Sequence, residues 1–213
     1  YGFERHYWRP ERLDAPLKVK EPARVFLGSM SDLMGNWVAT SEIEAVLDVA
    51  RRAPWHQFQL LTKNAPRLLK FEFPPNVWVG VSAPPSHFMG KPLSAEQQRR
   101  YVFRALDVLS EVKALVRWFS VEPLSFDMAD VIGLWSGDLE VRGLPLEWAV
   151  IGAATNGGKV YQPKPEWVES VCRLLDDNNT VVFYKGNLKG NPAAEPWREE
   201  FPDIESVEQR RLL

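Results

Sequence analysis

Six short apolar segments recur along the chain, and each of them ends in small or polar residues. They are RVFLGSMSD (24–32), FQLLTKN (58–64), VWVGVSAPP (77–85), VRWFSVEP (116–123), EWAVIGAATNGG (147–158) and TVVFYKGN (180–187). Apolar residues are nearly continuous within each segment, which is typical of strands that are buried on both faces. The pattern therefore predicts six strands of a parallel sheet.

The stretches between these segments carry helical patterns. Ser41 with Glu44 and Ser94 with Gln97 have capping-box spacing, and apolar residues follow each pair at helical intervals. Pro165 suits the first turn of a further helix. Helices are thus expected between successive strands, as in chains of βα units.

Strand and helix patterns alternate with a period of about thirty residues, roughly one unit of a (β/α) barrel. We predict an α/β fold, a partial TIM-type (β/α)6-like barrel of parallel strands with the helices outside. A single domain is expected over 1–213, with an N-terminal arm (1–23) and a C-terminal extension (187–213). The arm mixes aromatic and basic residues, so it could pack over the barrel or contact nucleic acid.

Polar or charged residues stand at the carboxyl end of every predicted strand, which is where parallel α/β folds bind their ligands. Charged side chains are rarely buried at strand ends unless they are paired. Their recurrence therefore favours a functional mouth over six ordinary loop starts. The residues concerned are Asp32, Lys63, Ser82, Glu122, Asn156 and Lys185.

Side-chain alternation along VRWFSVEP gives an expectation for its terminal carboxylate. Ser120 and Glu122 share one side of this strand, and Phe119 lies on the other. Because the outer side of a barrel wrapped by helices is apolar, Glu122 should point into the mouth. We expect it to pair there with Lys63 or Lys185, since an unpaired buried charge is costly.

Composition narrows the class of protein. The 213 residues are 45% hydrophobic with a formal net charge of -2, so no overall basic field attracts nucleic acid non-specifically. No apolar run is long enough to span a membrane and no signal peptide opens the chain, so we expect a cytoplasmic protein without a membrane partner. The single cysteine, Cys172, excludes an internal disulfide and should be a buried structural thiol on an apolar helix face.

Three further features have two readings each. The segment TNGGK (155–159) could form an anion-binding nest or a purely geometric turn. The segment SAPPSHFMGKP (82–92) could be a lid or an ordinary connector. The histidines His6, His56 and His87 show no ligand spacing, so we expect them on the surface or in loops.

The order of the motifs is similar to that of a known family. The motifs are VFLGSMSDL, FQLLTKNAPRL, PNVWVGVS, VRWFSVEPL, EWAVIGAATNGG, QPKPEWV and VVFYKGN. From about Pro10 to Lys185 they resemble the phage Gp37/Gp68 family (DUF5131-type), whose members look like radical S-adenosylmethionine proteins. The resemblance implies the core of an enzyme that reductively cleaves S-adenosylmethionine at a 4Fe-4S cluster, with a nucleotide or nucleic acid as substrate.

The resemblance also implies roles for individual residues. The turn after the second barrel strand of that superfamily contacts the amino group of the cofactor, and Asp32 in the corresponding turn would accept the ammonium. The candidate cofactor-binding residues are Ser29, Met30, Ser31, Asp32, Ser82, Ser120 and Glu122. The candidate substrate-binding residues, suited to an anionic group, are Lys63, Asn156 and Lys185.

The cysteine motif that would bind the cluster precedes this region in the family and does not occur in this sequence. We expect either that it precedes Tyr1 in a longer protein or that the chain is a natural relative without a cluster. The chain beginning at Tyr1 should bind no 4Fe-4S cluster and should be inactive alone, because one thiol cannot supply three ligands.

Two other classes of function stay open from the sequence. One is a non-enzymatic binding module, related to phage proteins, that uses the same barrel mouth. The other is a metal-independent α/β hydrolase or phosphate-binding barrel, although no nucleophile elbow or Ser-His-Asp arrangement is visible.

Overall fold

The computed structural model describes residues 6–88, 90–138 and 143–211. Within these ranges the strands, numbered in chain order, are β1 (Arg24–Leu27), β2 (Gln57–Thr62), β3 (Val77–Ser82), β4 (His87–Phe88), β5 (Lys91–Pro92), β6 (Arg117–Val121), β7 (Trp148–Ile151), β8 (Ala154–Asn156), β9 (Lys159–Tyr161) and β10 (Val181–Tyr184). The α-helices are α1 (Ala15–Lys18), α2 (Thr40–Arg52), α3 (Ala95–Glu111), α4 (Met128–Asp138), α5 (Pro165–Asp177) and α6 (Ile204–Arg211), with 3-10 turns at Pro10–Arg12, Ala65–Lys70 and Gly186–Leu188. None of these helices is long and apolar enough to cross a membrane.

The main sheet has six strands in the order β1-β2-β3-β6-β7-β10, and all of its pairings are parallel. It curls into a half-barrel, with helices flanking its convex side. The predicted α/β partial barrel is therefore confirmed, including the parallel pairing of β2 with β3. All six predicted segments supply a strand, in sequence order.

The convex face of the sheet is covered by helices because every second strand residue points outward and is apolar. Leu60, Val79 and Phe119 belong to the same buried cluster as Leu47 of α2 and Leu106 of α3. Burial of this apolar surface is the main favourable term in folding.

The predicted start of α2 was misplaced, whereas that of α3 is confirmed. The carboxylate of Glu42 accepts the backbone N–H of Ala39 at 3.0 Å, so α2 begins at Thr40 and not behind a Ser41 cap. A carboxylate three residues into a helix can satisfy the donor that precedes the first turn, and Glu42 stands at that position. At α3, the Ser94 hydroxyl accepts the Gln97 N–H at 3.2 Å as expected.

The concave face carries an aromatic floor formed by Trp78, Trp118 and Trp148. The ring centroids of Trp118 and Trp148 lie 5.1 Å apart, and those of Trp78 and Trp148 lie 5.6 Å apart. Gly80 makes room for this packing, because a Cβ there would lie 2.2 Å from the Trp118 ring. The inside of the half-barrel is therefore a packed core and not a channel.

The C-terminal extension covers the open side of this floor. Phe201 packs on Trp148 at 5.4 Å and on Phe183 of β10 at 5.2 Å between ring centroids. Its ring also lies 3.6 Å from the guanidinium carbon of Arg24 on β1. Phe201 thus contacts both edge strands of the half-barrel and links them across the opening.

The described part of the N-terminal arm (6–23) is held by two side chains that precede β2. His56 is 2% exposed, and its Nδ1 accepts the N–H of Ala23 at 3.1 Å. The proton must then reside on Nε2, which donates to the carbonyl of Pro16 at 2.9 Å. The Trp55 indole donates to the carbonyl of Val19 at 2.9 Å. His56 lies in the loop between α2 and β2, as expected, but it is buried and not on the surface, because it connects segments that are distant in sequence.

The fifth predicted segment contains β7 and the first strand of a hairpin, β8–β9. Gly157 (φ 56°) and Gly158 (φ 80°) form its two-residue turn, which requires left-handed dihedrals at both positions. TNGGK therefore forms the tip of a hairpin. The segment after β3 likewise forms a short hairpin, β4–β5.

Candidate functional site

A cavity of about 370 Å³ opens at the carboxyl ends of β1, β2 and β3. We call it the mouth cavity. Its lining combines hydroxyl groups with a carboxylate and an ammonium group, and it contains half of the predicted site residues. The lining residues are Phe26, Gly28, Ser29, Ser31, Asp32, Leu61, Thr62, Lys63 and Ser82.

A tight turn after β1 shapes one wall of the mouth cavity. The N–H of Ser31 donates to the carbonyl of Gly28 at 2.9 Å, and Gly28 has a φ of 71°. A Cβ at this position would lie 2.9 Å from the Ser31 carbonyl oxygen, so both the dihedral and the space require glycine. Met30, at the tip of the turn, is 77% exposed and does not line the cavity.

Asp32 ties this turn to the end of β2. Its Oδ1 accepts the hydroxyl of Thr62 at 2.7 Å and the N–H of Met34 at 3.0 Å, and its Oδ2 accepts the N–H of Lys63 at 2.8 Å. A carboxylate has about four acceptor positions, so one remains for a ligand. The first role of Asp32 is thus to position the turn, and sequence reasoning missed its partner Thr62, although Thr62 directly precedes the strand-end lysine.

Residues after β2 hold the rest of the β1–α2 loop. The side-chain amide of Asn64 donates to the carbonyl of Met34 at 2.8 Å and to Asn36 Oδ1 at 2.9 Å. The guanidinium of Arg67 donates to the carbonyl of Gly35. These hydrogen bonds from residues after β2 hold the β1–α2 loop in place without a ligand.

Lys63 supplies the positive charge of the mouth cavity. The residue is exposed, and its ammonium makes no ion pair within the described ranges. An ammonium that faces a concave, hydroxyl-lined surface attracts anionic groups.

Glu122 follows the carboxyl end of β6, next to the mouth cavity, and pairs with Lys185, as predicted. Glu122 Oε1 and Lys185 Nζ are 2.8 Å apart, with the side chains 27% and 47% exposed. The pair lies on either side of Gly152, where a Cβ would come within 3.0 Å of Glu122 Cγ. Because the pair is solvated, its contribution to stability is small. Its importance for a ligand site lies in its position beside the mouth cavity.

The two remaining candidate residues, Ser120 and Asn156, lie in different places. Ser120 is buried beside Ser82, its register partner on β3, and points toward the concave side. Asn156 is exposed on the β8–β9 hairpin and does not line the mouth cavity. The structure thus brings together the β1–β3 candidates, places Glu122 with Lys185 beside them, and leaves Asn156 apart.

One clamp on the rim was not predicted from the sequence. Asn187 Oδ1 accepts the N–H of Ala153 at 3.1 Å, and its Nδ2 donates to the Ala153 carbonyl at 2.8 Å. This pair of bonds fixes the chain after β7 against the chain after β10. The local signal is weak, since an asparagine after a glycine is common in any turn.

The described residues contain no group of three or more histidine, cysteine or acidic side chains placed to hold a metal ion. Cys172 is buried on α5, with its Sγ 3.1 Å from the Tyr184 hydroxyl. Burial raises the pKa of the Cys172 thiol, so the neutral form is favoured. The predicted burial of this cysteine on an apolar helix face is confirmed.

Comparison with known families supplies the assignment. Residues 2–195 match the model of a family described as protein of unknown function (DUF5131). The chain belongs to the DUF5131 family. In this DUF5131 member the matched region contains the whole six-stranded sheet, the mouth cavity and the Glu122–Lys185 pair. Searches of curated proteins and of solved structures found no match.

Proposed function

We propose that the mouth cavity binds S-adenosylmethionine and that the half-barrel is the core of a radical S-adenosylmethionine-type enzyme. The observation that carries this proposal is the ammonium of Lys63, without an ion pair in the described ranges, beside a cavity lined by hydroxyls and one carboxylate. Such a mixture is complementary to a zwitterionic nucleoside.

Each polar group of the ligand has a counterpart in the lining. Lys63 is placed to receive a carboxylate, and the free acceptor position of Asp32 suits an ammonium. Ser31 and Ser82 offer hydroxyls for a ribose. Phe26, which is 44% exposed, offers an apolar surface for the remainder of the ligand.

The residues of this chain do not supply the ligand set of a 4Fe-4S cluster. Such a cluster takes several thiolates, and the sequence contains one cysteine, Cys172, which is buried away from the mouth. When present, a cluster would supply the electron for cleavage of the cofactor. The part played by this chain is to bind the ligand, orient it and exclude water from it.

A second candidate is a non-enzymatic module that holds a ligand in the same mouth. The observation that favours it is the single thiol, which is engaged with Tyr184. Anaerobic reconstitution with iron and sulfide of a longer protein that carries a cluster-binding cysteine motif ahead of this chain, followed by a search for 5'-deoxyadenosine, separates the two candidates. Formation of 5'-deoxyadenosine supports the enzyme, whereas ligand binding without it supports the module.

The charge of Lys63 should be required for binding. We expect Lys63→Gln to weaken the binding of S-adenosylmethionine about tenfold to a hundredfold, the scale for losing one hydrogen bond to a charged group. Isothermal titration of both proteins measures the change. The matched control is Lys113→Gln, an exposed lysine that precedes β6 at the opposite end of the barrel. Equal affinities of the two variants would contradict the proposal.

A further inference from the structure

A second cavity, of about 340 Å³, lies beside the mouth cavity and shares Lys63 and Ser82 with it. We call it the α3 cavity, because Tyr101, Arg104 and Ala105 of helix α3 form one of its walls. We propose that the α3 cavity is the substrate site and that it takes a nucleoside monophosphate. The role as substrate site depends on the proposed function, because it places the reacting molecule next to the cofactor.

The walls of the α3 cavity are largely apolar. Pro66, Pro84, Pro85 and Leu93 contribute to the lining from the loops on either side. Tyr101 is 44% exposed, so one part of its ring is open to solvent and available for stacking. Planar rings stack well on tyrosine, and every nucleobase has such a face.

The positive charge of Arg104 lies beside Tyr101 on helix α3. Tyr101 and Arg104 are three residues apart on α3, so they occupy neighbouring positions on one helix face. Arg104 is exposed and makes no ion pair within the described ranges. The guanidinium carbon of Arg100 lies 5.7 Å from the centroid of the Tyr101 ring. With Lys63 at the shared edge, the cavity has cations but no acidic residue among its described lining residues.

This combination selects the class of ligand. A phosphate alone would use the cations and leave the apolar walls solvated, and an uncharged ring would leave Arg104 without a counter-ion. A nucleoside monophosphate uses both, because its base can stack on Tyr101 while its phosphate accepts bidentate bonds from Arg104. The cavity volume falls in the range usual for such ligands.

The test is isothermal titration of the purified chain with adenosine 5'-monophosphate and with ribose 5-phosphate. We expect the nucleotide to bind about tenfold more tightly than the sugar phosphate, which lacks the base. Arg104→Gln should weaken both ligands about tenfold, and Tyr101→Ala should weaken the nucleotide alone. The control is Arg99→Gln, an exposed arginine on the same helix that does not line the cavity.

Two results would overturn the inference: no binding of the nucleotide, or equal nucleotide affinities for Arg104→Gln and Arg99→Gln. A parallel titration with S-adenosylmethionine keeps this failure separate from that of the proposed function. Because Arg104 does not line the mouth cavity, Arg104→Gln should bind S-adenosylmethionine like the unmodified chain. If the unmodified chain binds S-adenosylmethionine but not the nucleotide, the inference about the α3 cavity fails while the proposed function stands.

Discussion

Trp148→Ala should lower the free energy of unfolding by about 3–5 kcal/mol, the usual range for removing a large buried aromatic side chain. Trp148 lies at the centre of the aromatic floor, with ring contacts to Trp78, Trp118, Phe183 and Phe201. Its indole N–H also donates to the carbonyl of Glu200 at 3.0 Å. The substitution therefore leaves a cavity in the floor and loosens the C-terminal extension.

Urea unfolding followed by circular dichroism measures this loss. The control is Trp37→Ala, because Trp37 is 63% exposed and its removal should change stability by about 0.5 kcal/mol or less. Similar losses for the two variants would mean that the concave tryptophans do not form a cohesive core. A variant too unstable to purify is replaced by Trp148→Phe, which should fall between the control and the alanine variant.

Glu147→Gln should cost about 3 kcal/mol, since removing one member of a largely buried ion pair leaves the other charge uncompensated. Glu147 and Arg117 have side chains only 11% and 20% exposed, with Arg117 Nη2 and Glu147 Oε1 2.7 Å apart. The same carboxylate accepts the backbone N–H of Arg117 at 2.7 Å. The pair thereby fixes the beginning of β6 against the beginning of β7.

The matched control for this pair is Glu111→Gln, an exposed glutamate at the end of α3. Thermal unfolding of both variants gives the comparison. The double variant Glu147→Leu with Arg117→Leu should recover part of the loss, because neither charge is then left buried alone. If the single variant matches the exposed control, the pair does not anchor the two strands.

The sheet could be predicted from the sequence because burial on both faces produces a signal in consecutive residues. VWVGVS and VRWFSV are mostly apolar on both faces, and the structure shows why: one set of side chains meets the helices and the other meets the aromatic floor. Glu122 could be oriented by the same two-residue alternation. The strands and the orientation of Glu122 follow from the pattern of adjacent residues, without knowledge of the tertiary structure.

Long-range contacts account for most of what the sequence did not reveal. His56 is buried because it bonds to Pro16 and Ala23, and no local spacing announces such a connection. Asp32 was expected to face a ligand, yet three of its acceptor positions are taken by groups that follow it in the chain by 2, 30 and 31 residues. The α3 cavity was missed for the same reason, since Arg104 and Lys63 line one cavity only once helix α3 packs beside β3.

The most direct test of the mouth cavity as a ligand site is a crystal structure of the chain grown with saturating S-adenosylmethionine. The ligand should lie above the carboxyl ends of β1, β2 and β3, with an oxygen of its carboxylate within hydrogen-bonding distance of Lys63 Nζ. Ser31 or Ser82 should contact the ribose. A ligand bound elsewhere on the protein, or an empty mouth in crystals from that solution, would contradict the proposed function.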